Sequence, residues 1–286
     1  MIILKNNNLN LEIPFDGKTF MLNNIDYGSG KAEHTTFKGI NQIGSYLTAS
    51  TISERDVAIV GFILADNEKE MKQRKRILYR LTNPIMEFSI IENGYMLTCK
   101  ANSTVKFASQ HEENNNLIAK FVLEVTCFNP CFEPVNPKRV NIALWQGAFH
   151  FPLTIPKDKG IIMGLRSPST IVNVENTGDV QTGVIIEFKA KGSLTAPSLL
   201  NVETREFIKI NKPMVAGEAI TVNTHYGEKS VVSKIDNKEC DISGYWDLDS
   251  TFLQLKVGDN LLRYDAETNS DNLEIEVRFK PKLLGV

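Results

Sequence analysis

A period of two runs through this chain and limits what it can fold into. Leu273, Ile275, Val277 and Phe279 alternate with Glu274, Glu276 and Arg278, the pattern of a strand with one face in a core and one in water. Val57, Ile59, Gly61 and Ile63 alternate with Ala58, Val60, Phe62 and Leu64. Both of those sets are apolar, which predicts a strand covered on both sides. Asp16-Gly17 separates residues 11–15 from 18–22, and Asn93-Gly94 separates 86–91 from 95–99; both dipeptides read as hairpin turns. Residues 103–108 and 117–127 make a third pair, joined by the polar loop 109–116, which is expected to be solvated and mobile. The chain reads as mainly β.

One helix is legible. Asn67 is a plausible N-cap with Glu70 three residues on, as in a capping box. Met71, Arg74, Lys75 and Leu78 fall on one side with Ile77 and Leu81 adjacent, and Asn83-Pro84 ends the helix. Lys69, Lys72, Arg76 and Arg80 form a basic stripe, read as a solvated face with a partner contact as the alternative.

Three prolines, Pro130, Pro134 and Pro137, fall within eight residues and suggest a stiff linker between two domains. Beyond it, turn signals recur at a spacing of about 8–12 residues, that of a β-sandwich. The expected division is 1–136, completed by 273–286, and 137–272. No repeat of fixed period is visible.

Composition removes several function classes. Of 286 residues, 32 are Lys or Arg and 34 are Asp or Glu, a net charge of −2. That balance gives no reason to expect a grip on nucleic acid or an anionic membrane. The longest apolar run, 57–65, is too short to span a bilayer. The start, Met1-Ile-Ile-Leu-Lys-Asn-Asn-Asn, does not read as a signal peptide, and four cysteines do not make a disulfide framework. A soluble chain made in a reducing cytoplasm is expected.

Motifs for chemistry fail one by one. Gly17-Lys18-Thr19 has the ending of a phosphate loop, but Glu12 stands where its first glycine belongs. Gly28-Ser-Gly30-Lys31 has Ile25 in that place and Ala32 for the metal-holding hydroxyl. Cys127 and Cys131 lack a second close pair, Cys99 and Cys240 look isolated, and His34, His111, His150 and His225 are scattered. Asp247-Leu-Asp249 opens like a calcium loop but lacks its glycine and closing glutamate. No catalytic, cofactor-binding or metal-ligating residue is assigned, no cofactor is implied, and the chain does not read as an enzyme. A hydrolase would need a Ser–His contact or a buried carboxylate pair made by the fold. A carbohydrate-binding module for the host wall, the alternative reading, would need an exposed aromatic platform. The only tryptophans, Trp145 and Trp246, lie in segments where core packing is the expected role.

Ordered segments resemble the siphovirus-type phage distal tail protein (Dit) family. They are Gly44-Ser-Tyr46-Leu47-Thr-Ala-Ser50-Thr-Ile52-Ser-Glu-Arg55-Asp-Val57-Ala-Ile59-Val-Gly61, then the capped helix, then Cys127-Phe-Asn129-Pro130-Cys-Phe132. Further on come Asn176-Thr-Gly178-Asp179, Pro197-Ser-Leu199-Leu-Asn201, Gly217-Glu218-Ala-Ile220-Thr-Val222-Asn-Thr224, Leu255-Lys-Val-Gly258-Asp-Asn260 and the ending Arg278-Phe-Lys-Pro281-Lys-Leu-Leu-Gly285-Val286. The Asn176 and Gly258 segments also read as turn chemistry. Arg55 is read either as a fixed hydrogen-bonding group at a strand edge or subunit seam, or as a plain exposed arginine.

The resemblance implies an N-terminal β-barrel-like sandwich with one helix, whose copies close a hexameric ring at the end of a tail tube. It implies a C-terminal galectin-like β-sandwich outside the ring, with the last strand returning to the first domain. The implied partners are other copies of the chain, the tail tube protein, the tail-tip protein and peripheral receptor-binding components, with DNA passing through the lumen unbound. The implied location is the virion tail tip, after synthesis in the host cytoplasm.

Overall fold

In the computed structural model, residues 1–142 and 171–286 are described, together with the backbone of the paired strands Trp145–Gly147 and Gly164–Arg166. Leu144, His150 and the Trp145 side chain lie outside the described residues. The chain divides into two units, Met1–Val135 with Leu283–Val286, and Asn136–Lys282.

The first unit contains β1 (Ile2–Asn6), β2 (Leu11–Pro14), β3 (Phe20–Asp26), β4 (Ala32–Phe37), β5 (Tyr46–Ile52), β6 (Arg55–Leu64), α1 (Glu68–Leu81), β7 (Phe88–Glu92), β8 (Tyr95–Ala101), β9 (Lys106–Phe107), β10 (Ile118–Cys127) and β11 (Glu133–Pro134). Its main sheet runs β2-β1-β7-β8-β10-β6-β3, with β9 beside β10 and β11 beside β8. The pair β4–β5 stands apart as its own ribbon.

This order forces curvature. Seven strands laid flat would hold β2 and β3 about 29 Å apart at about 4.8 Å per gap. The chain from Pro14 to Phe20 reaches at most about 21 Å, so the sheet curls until its two ends approach. Asp16-Gly17 therefore makes the expected turn, with the Asp16 carboxylate accepting from the Lys18 and Thr19 amides at 2.8 and 2.9 Å, but not the expected hairpin. Its flanking strands pair with β1 and β6 instead of each other. Asn93-Gly94 does make a hairpin, pairing Glu92 with Tyr95, and both turn residues adopt positive φ, 50° and 85°.

The inward face of the curl holds Leu4, Phe20, Val57, Ile59, Ile63, Phe88, Leu97, Phe121, Leu123 and Val125 in one core. Gly61 shares that face because the Phe121 ring fills its place; a Cβ there would lie 2.7 Å from Phe121 Cζ and 2.9 Å from the Met21 carbonyl. The second face of β6 departs from expectation. Ala58, Val60, Phe62 and Leu64 are only half-buried, because this unit lays no second complete layer over them.

Helix α1 begins as read: the Asn67 side chain accepts from the Glu70 amide at 3.0 Å, and Glu70 accepts from the Asp66 amide. Met71, Leu78 and Leu81 enter the core, while Lys69, Lys72, Arg76 and Arg80 are exposed. The polar loop 109–116 is more tied down than expected. Lys75 donates to Asn114 at 2.7 Å, Asn114 donates to the Ala108 carbonyl, and Lys120 pairs with Glu113 at 2.6 Å.

The proline-rich stretch is likewise part of the first unit up to Val135, and no free linker. Cys131 and Phe132 are buried, and β11 adds to the edge of β8, where Pro134 is tolerated because an edge strand leaves one side without a ladder.

The second unit is a sandwich around one core. One sheet has the order Lys138–Asn141, Leu273–Phe279, Ile185–Ala190, Ala219–Asn223, Ser230–Ile235, Lys238–Asp241. The other runs Ile171–Asn173, Leu261–Thr268, Leu194–Asn201, Phe207–Lys209, with Pro213–Met214 also on Leu194–Asn201. Ile186, Phe188, Ile220 and Val222 from the first sheet meet Leu199, Ile208, Leu262 and Tyr264 from the second in that core.

The final strand corrects an expectation. Leu273–Phe279 does not return to the first unit; it pairs with Lys138–Asn141 and Ile185–Ala190. Its apolar face joins Phe188 and Ile186, and its charged face meets opposite charges across the ladder: Lys189 with Glu276 at 3.0 Å and Arg278 with Glu187 at 3.3 Å. Only Leu283–Val286 belongs to the first unit.

Two outcomes follow from this packing. Gly61→Ala drives a methyl into the Phe121 ring, and urea unfolding is expected to show the first unit destabilised by roughly 1–3 kcal/mol. In the second unit Glu218 is 1% exposed. Burial alone raises a carboxyl's pKa, but Lys212 at 2.5 Å, the Ser233 hydroxyl at 2.6 Å and the Val215 amide hold Glu218 below its usual range. A lowered folded-state pKa gives stability that is present above the unfolded value, about 4.3, and is lost as pH falls through the folded one. Acid unfolding of Glu218→Gln is therefore expected to lose part of the wild-type pH dependence below about pH 4.5.

Candidate assembly surface

An isolated two-stranded ribbon is marginal in water, because neither face has a core to rest on. The β4–β5 arm is such a ribbon. Its strands pair from Ala32↔Ile52 to Phe37↔Tyr46, and every residue of both strands is exposed. Its apolar side chains are nonetheless large: Phe37, Tyr46, Leu47 and Ile52 along the strands, with Ile40 and Ile43 in the connecting loop at 97% and 102% exposure. Six such groups on one ribbon are a surface built for burial against something else.

The arm is tied down at its root. The Ser53 amide donates to the Lys31 carbonyl at 2.9 Å, and the Gly28 amide donates to the Asp26 carboxylate at 2.9 Å. Gly28 has φ 56°, and a Cβ there would sit 2.3 Å from the Asp56 carbonyl, so only glycine allows this approach. The glycines of the failed phosphate-loop fragment are thus root and turn glycines.

Beside the root lies a buried cation. Arg55, the first residue of β6, is 5% exposed. Its Nη2 donates to the Leu284 carbonyl at 2.6 Å, and its guanidinium stacks 5.0 Å from the Phe132 ring centroid. Phe132 and Leu283 exchange both backbone hydrogen bonds, at 2.8 and 2.9 Å. Tyr27 meets the Phe132 ring edge-on and donates to Glu92 at 2.5 Å. Burial, then the hydrogen bond to Glu92, pushes the Tyr27 hydroxyl far above an ordinary phenol. Arg55 is therefore a fixed hydrogen-bonding group, and what it holds is the end of its own chain.

Among the described residues, the other candidates do not assemble a reaction centre. His34 Nδ1 and Ser50 Oγ lie 2.9 Å apart, the Ser–His contact a hydrolase would need. They are a cross-strand pair on the exposed arm, and among the described residues no carboxylate hydrogen-bonds the imidazole. Asp247 accepts from the Asp249 amide and from Asn211, which is turn chemistry as read. Among the described residues no group of three His, Cys, Asp or Glu is placed to hold a metal. Trp246 is half-buried and stacks on Phe252 at 4.3 Å between centroids, so one indole face is already covered. Cys99 was missed by its sequence spacing: the fold sets it beside Cys127.

The comparisons bear on both units. Residues 177–282 match the model of the siphovirus-type tail component, C-terminal domain, and residues 13–127 match the phage tail protein RIFT-related domain. The chain belongs to the siphovirus-type distal tail protein (Dit) family. Its fold is similar to the crystal structure of SPP1 Dit, described as a paradigm of hub adsorption apparatus in Gram-positive infecting phages, with TM-score 0.68 and 13% identity over 99% of both chains. It is also similar to chains of the phage P2 baseplate in its activated conformation. With calcium the TM-score is 0.53 at 10% identity over 100% of both chains; with strontium it is 0.52 at 9% identity over 100% of this chain and 99% of that one. No curated protein matches the chain. The protein is accordingly a structural component of a phage's distal tail or baseplate.

Several Dit-like segments prove to be structural joints. Asn176 donates to the Val180 and Leu255 carbonyls and accepts from the Gly178 amide. Asn260, fully buried, donates to the Val174, Lys256 and Gly258 carbonyls. Gly178 lets the Lys282 backbone pass, since a Cβ there would lie 2.7 Å from its amide nitrogen.

Removing the Arg55 guanidinium takes away its hydrogen bond to the Leu284 carbonyl and its contact with the Phe132 ring. Arg55→Ala is expected to cost roughly 1.5–3 kcal/mol and to speed deuterium exchange at the Phe132 and Leu283 amides. Unchanged protection there would show that the backbone pairing holds the tail without help.

Proposed function

We propose that this Dit-family chain is the hub of a phage tail tip, its first unit closing a hexameric ring through the β4–β5 arm. The arm carries the reading: six large exposed apolar side chains on a ribbon with no core of its own gain their burial from another copy. A ring needs head-to-tail interfaces that close by rotation, and an arm meeting a different surface on its neighbour is such an interface. The half-buried outer face of β6 and the free edge of β3 are suitable acceptors, by apolar packing and by sheet extension.

In this reading the ring joins the tail tube protein on one side to the tail-tip protein on the other. The second unit, a sandwich compatible with a galectin-like fold, offers docking surface to peripheral adsorption components. The near-neutral net charge suits a lumen that passes DNA without binding it. The chain is made in the host cytoplasm and acts in the virion.

Negative-stain microscopy of the purified protein, with sedimentation of the same sample, is expected to show closed rings. Ile40→Asp with Ile43→Asp places charges on the arm's connecting loop without touching the core. That variant is expected to keep wild-type unfolding and to sediment as single subunits. Rings that survive the double substitution would rule out the arm's apolar loop as the interface.

A further inference from the structure

Two of the four cysteines face each other across a ladder. β8 and β10 pair Ala101 with Val125 and Lys100 with Thr126, so the next step in register sets Cys99 opposite Cys127. The Asn102 amide donates to the Glu124 carbonyl at 2.9 Å, which makes Asn102/Glu124 a hydrogen-bonded pair. Alternation along the ladder then makes Cys99/Cys127 a non-hydrogen-bonded pair, the class with the closer side chains, Cα atoms about 4.5 Å apart. A disulfide spans Cα separations of about 4.4–6.8 Å. Both side chains point into the core, at 1% and 0% exposure.

The pair is chemically asymmetric. The Cys99 S–H favours the Cys127 thiolate, burial opposes it, and the Arg55 guanidinium across the β6–β10 ladder favours it; the net effect lowers the Cys127 thiol. Cys99 is pushed up, by Cys127 first and then by burial. Of the two sulfurs Cys127 is the one favoured as thiolate, and a thiolate is the attacking species in disulfide exchange.

We propose that Cys99 and Cys127 are a cross-strand dithiol that closes to a disulfide on meeting a small-molecule disulfide such as oxidised glutathione. The Cys127 thiolate attacks one sulfur of oxidised glutathione, breaks its S–S bond and releases one glutathione thiolate. The Cys99 thiol then loses its proton and displaces the second glutathione from the mixed disulfide. The two protein thiols are oxidised by two electrons, and one oxidised glutathione becomes two reduced ones. Access comes through opening at the end of the β8–β10 ladder, next to its last paired residues, Lys100 and Thr126. The new bond ties β8 to the strand end that leads into the Phe132 seat of the chain terminus. It is independent of ring formation.

The test uses the full chain with Cys131→Ser and Cys240→Ser, which leaves only this pair of thiols. After incubation with oxidised glutathione, intact mass is expected to fall by two hydrogen atoms, both thiols to disappear from titration in denaturant, and the thermal midpoint to rise. In the four-cysteine protein, peptide mapping is expected to recover the Cys99 and Cys127 peptides linked. Two free thiols after oxidation, or a glutathione adduct that never resolves, would overturn the proposal. A Cys127–Cys131 or Cys99–Cys131 link in the four-cysteine protein would do the same.

Discussion

The ladder between β6 and β10 is the constraint on which the first unit depends. It runs ten residues without interruption, from Leu64 opposite Ile118 to Arg55 opposite Cys127. Several features of the unit attach to it directly. β3 pairs along the far side of β6, the arm enters β6 at Arg55, three residues after Ile52, and Arg74 reaches back from the helix to the Leu64 carbonyl. Because side chains alternate with a period of two, a slip of one residue would turn Ile59 and Ile63 outward. It would also carry Arg55 away from Leu284. One register thus sets the core and the hold on the chain terminus together, while the neighbouring β8–β10 register sets the thiol pair.

The two units solve the problem of burial differently. The second closes two sheets on one core and satisfies its turns from within, as Asn176, Asn260 and Glu218 show. The first curls one sheet over its core and leaves two apolar surfaces incompletely covered: the outer face of β6 and the whole of the arm. A sheet can hide one face by curling, but a detached two-stranded ribbon cannot hide either. That difference is why the assembly reading rests on the first unit.

Legibility followed the range of the interaction. Helix α1 was readable from Asn67 to Asn83 because its cap, periodicity and stop are all local. Asn93-Gly94 and Asp16-Gly17 carry the same turn chemistry, yet only the first joins paired strands; the second connects opposite ends of a sheet that curls back on itself. Pro130 and Pro134 mark a segment unfit for a central strand, but its use as an edge and as a seat for Leu283 depended on partners about 40 and 150 residues away in sequence. Cys99 looked isolated because 28 positions separate it from Cys127, and cross-strand neighbours are set by register and not by spacing.

The sequence alone determined that this is a mainly β protein with one capped helix, no local catalytic or metal motif, and ordered segments like those of phage distal tail proteins. Those properties are written in short-range patterns: alternation, caps, turn dipeptides and the order of segments. Tertiary structure decided which strand sits beside which, and so gave Leu273–Phe279 to the second unit, Leu283–Val286 to the first, and the β4–β5 ribbon to neither sheet. Strand pairing is a long-range choice among edges with the same backbone hydrogen-bonding groups. Only the packing of side chains across the whole unit selects among them.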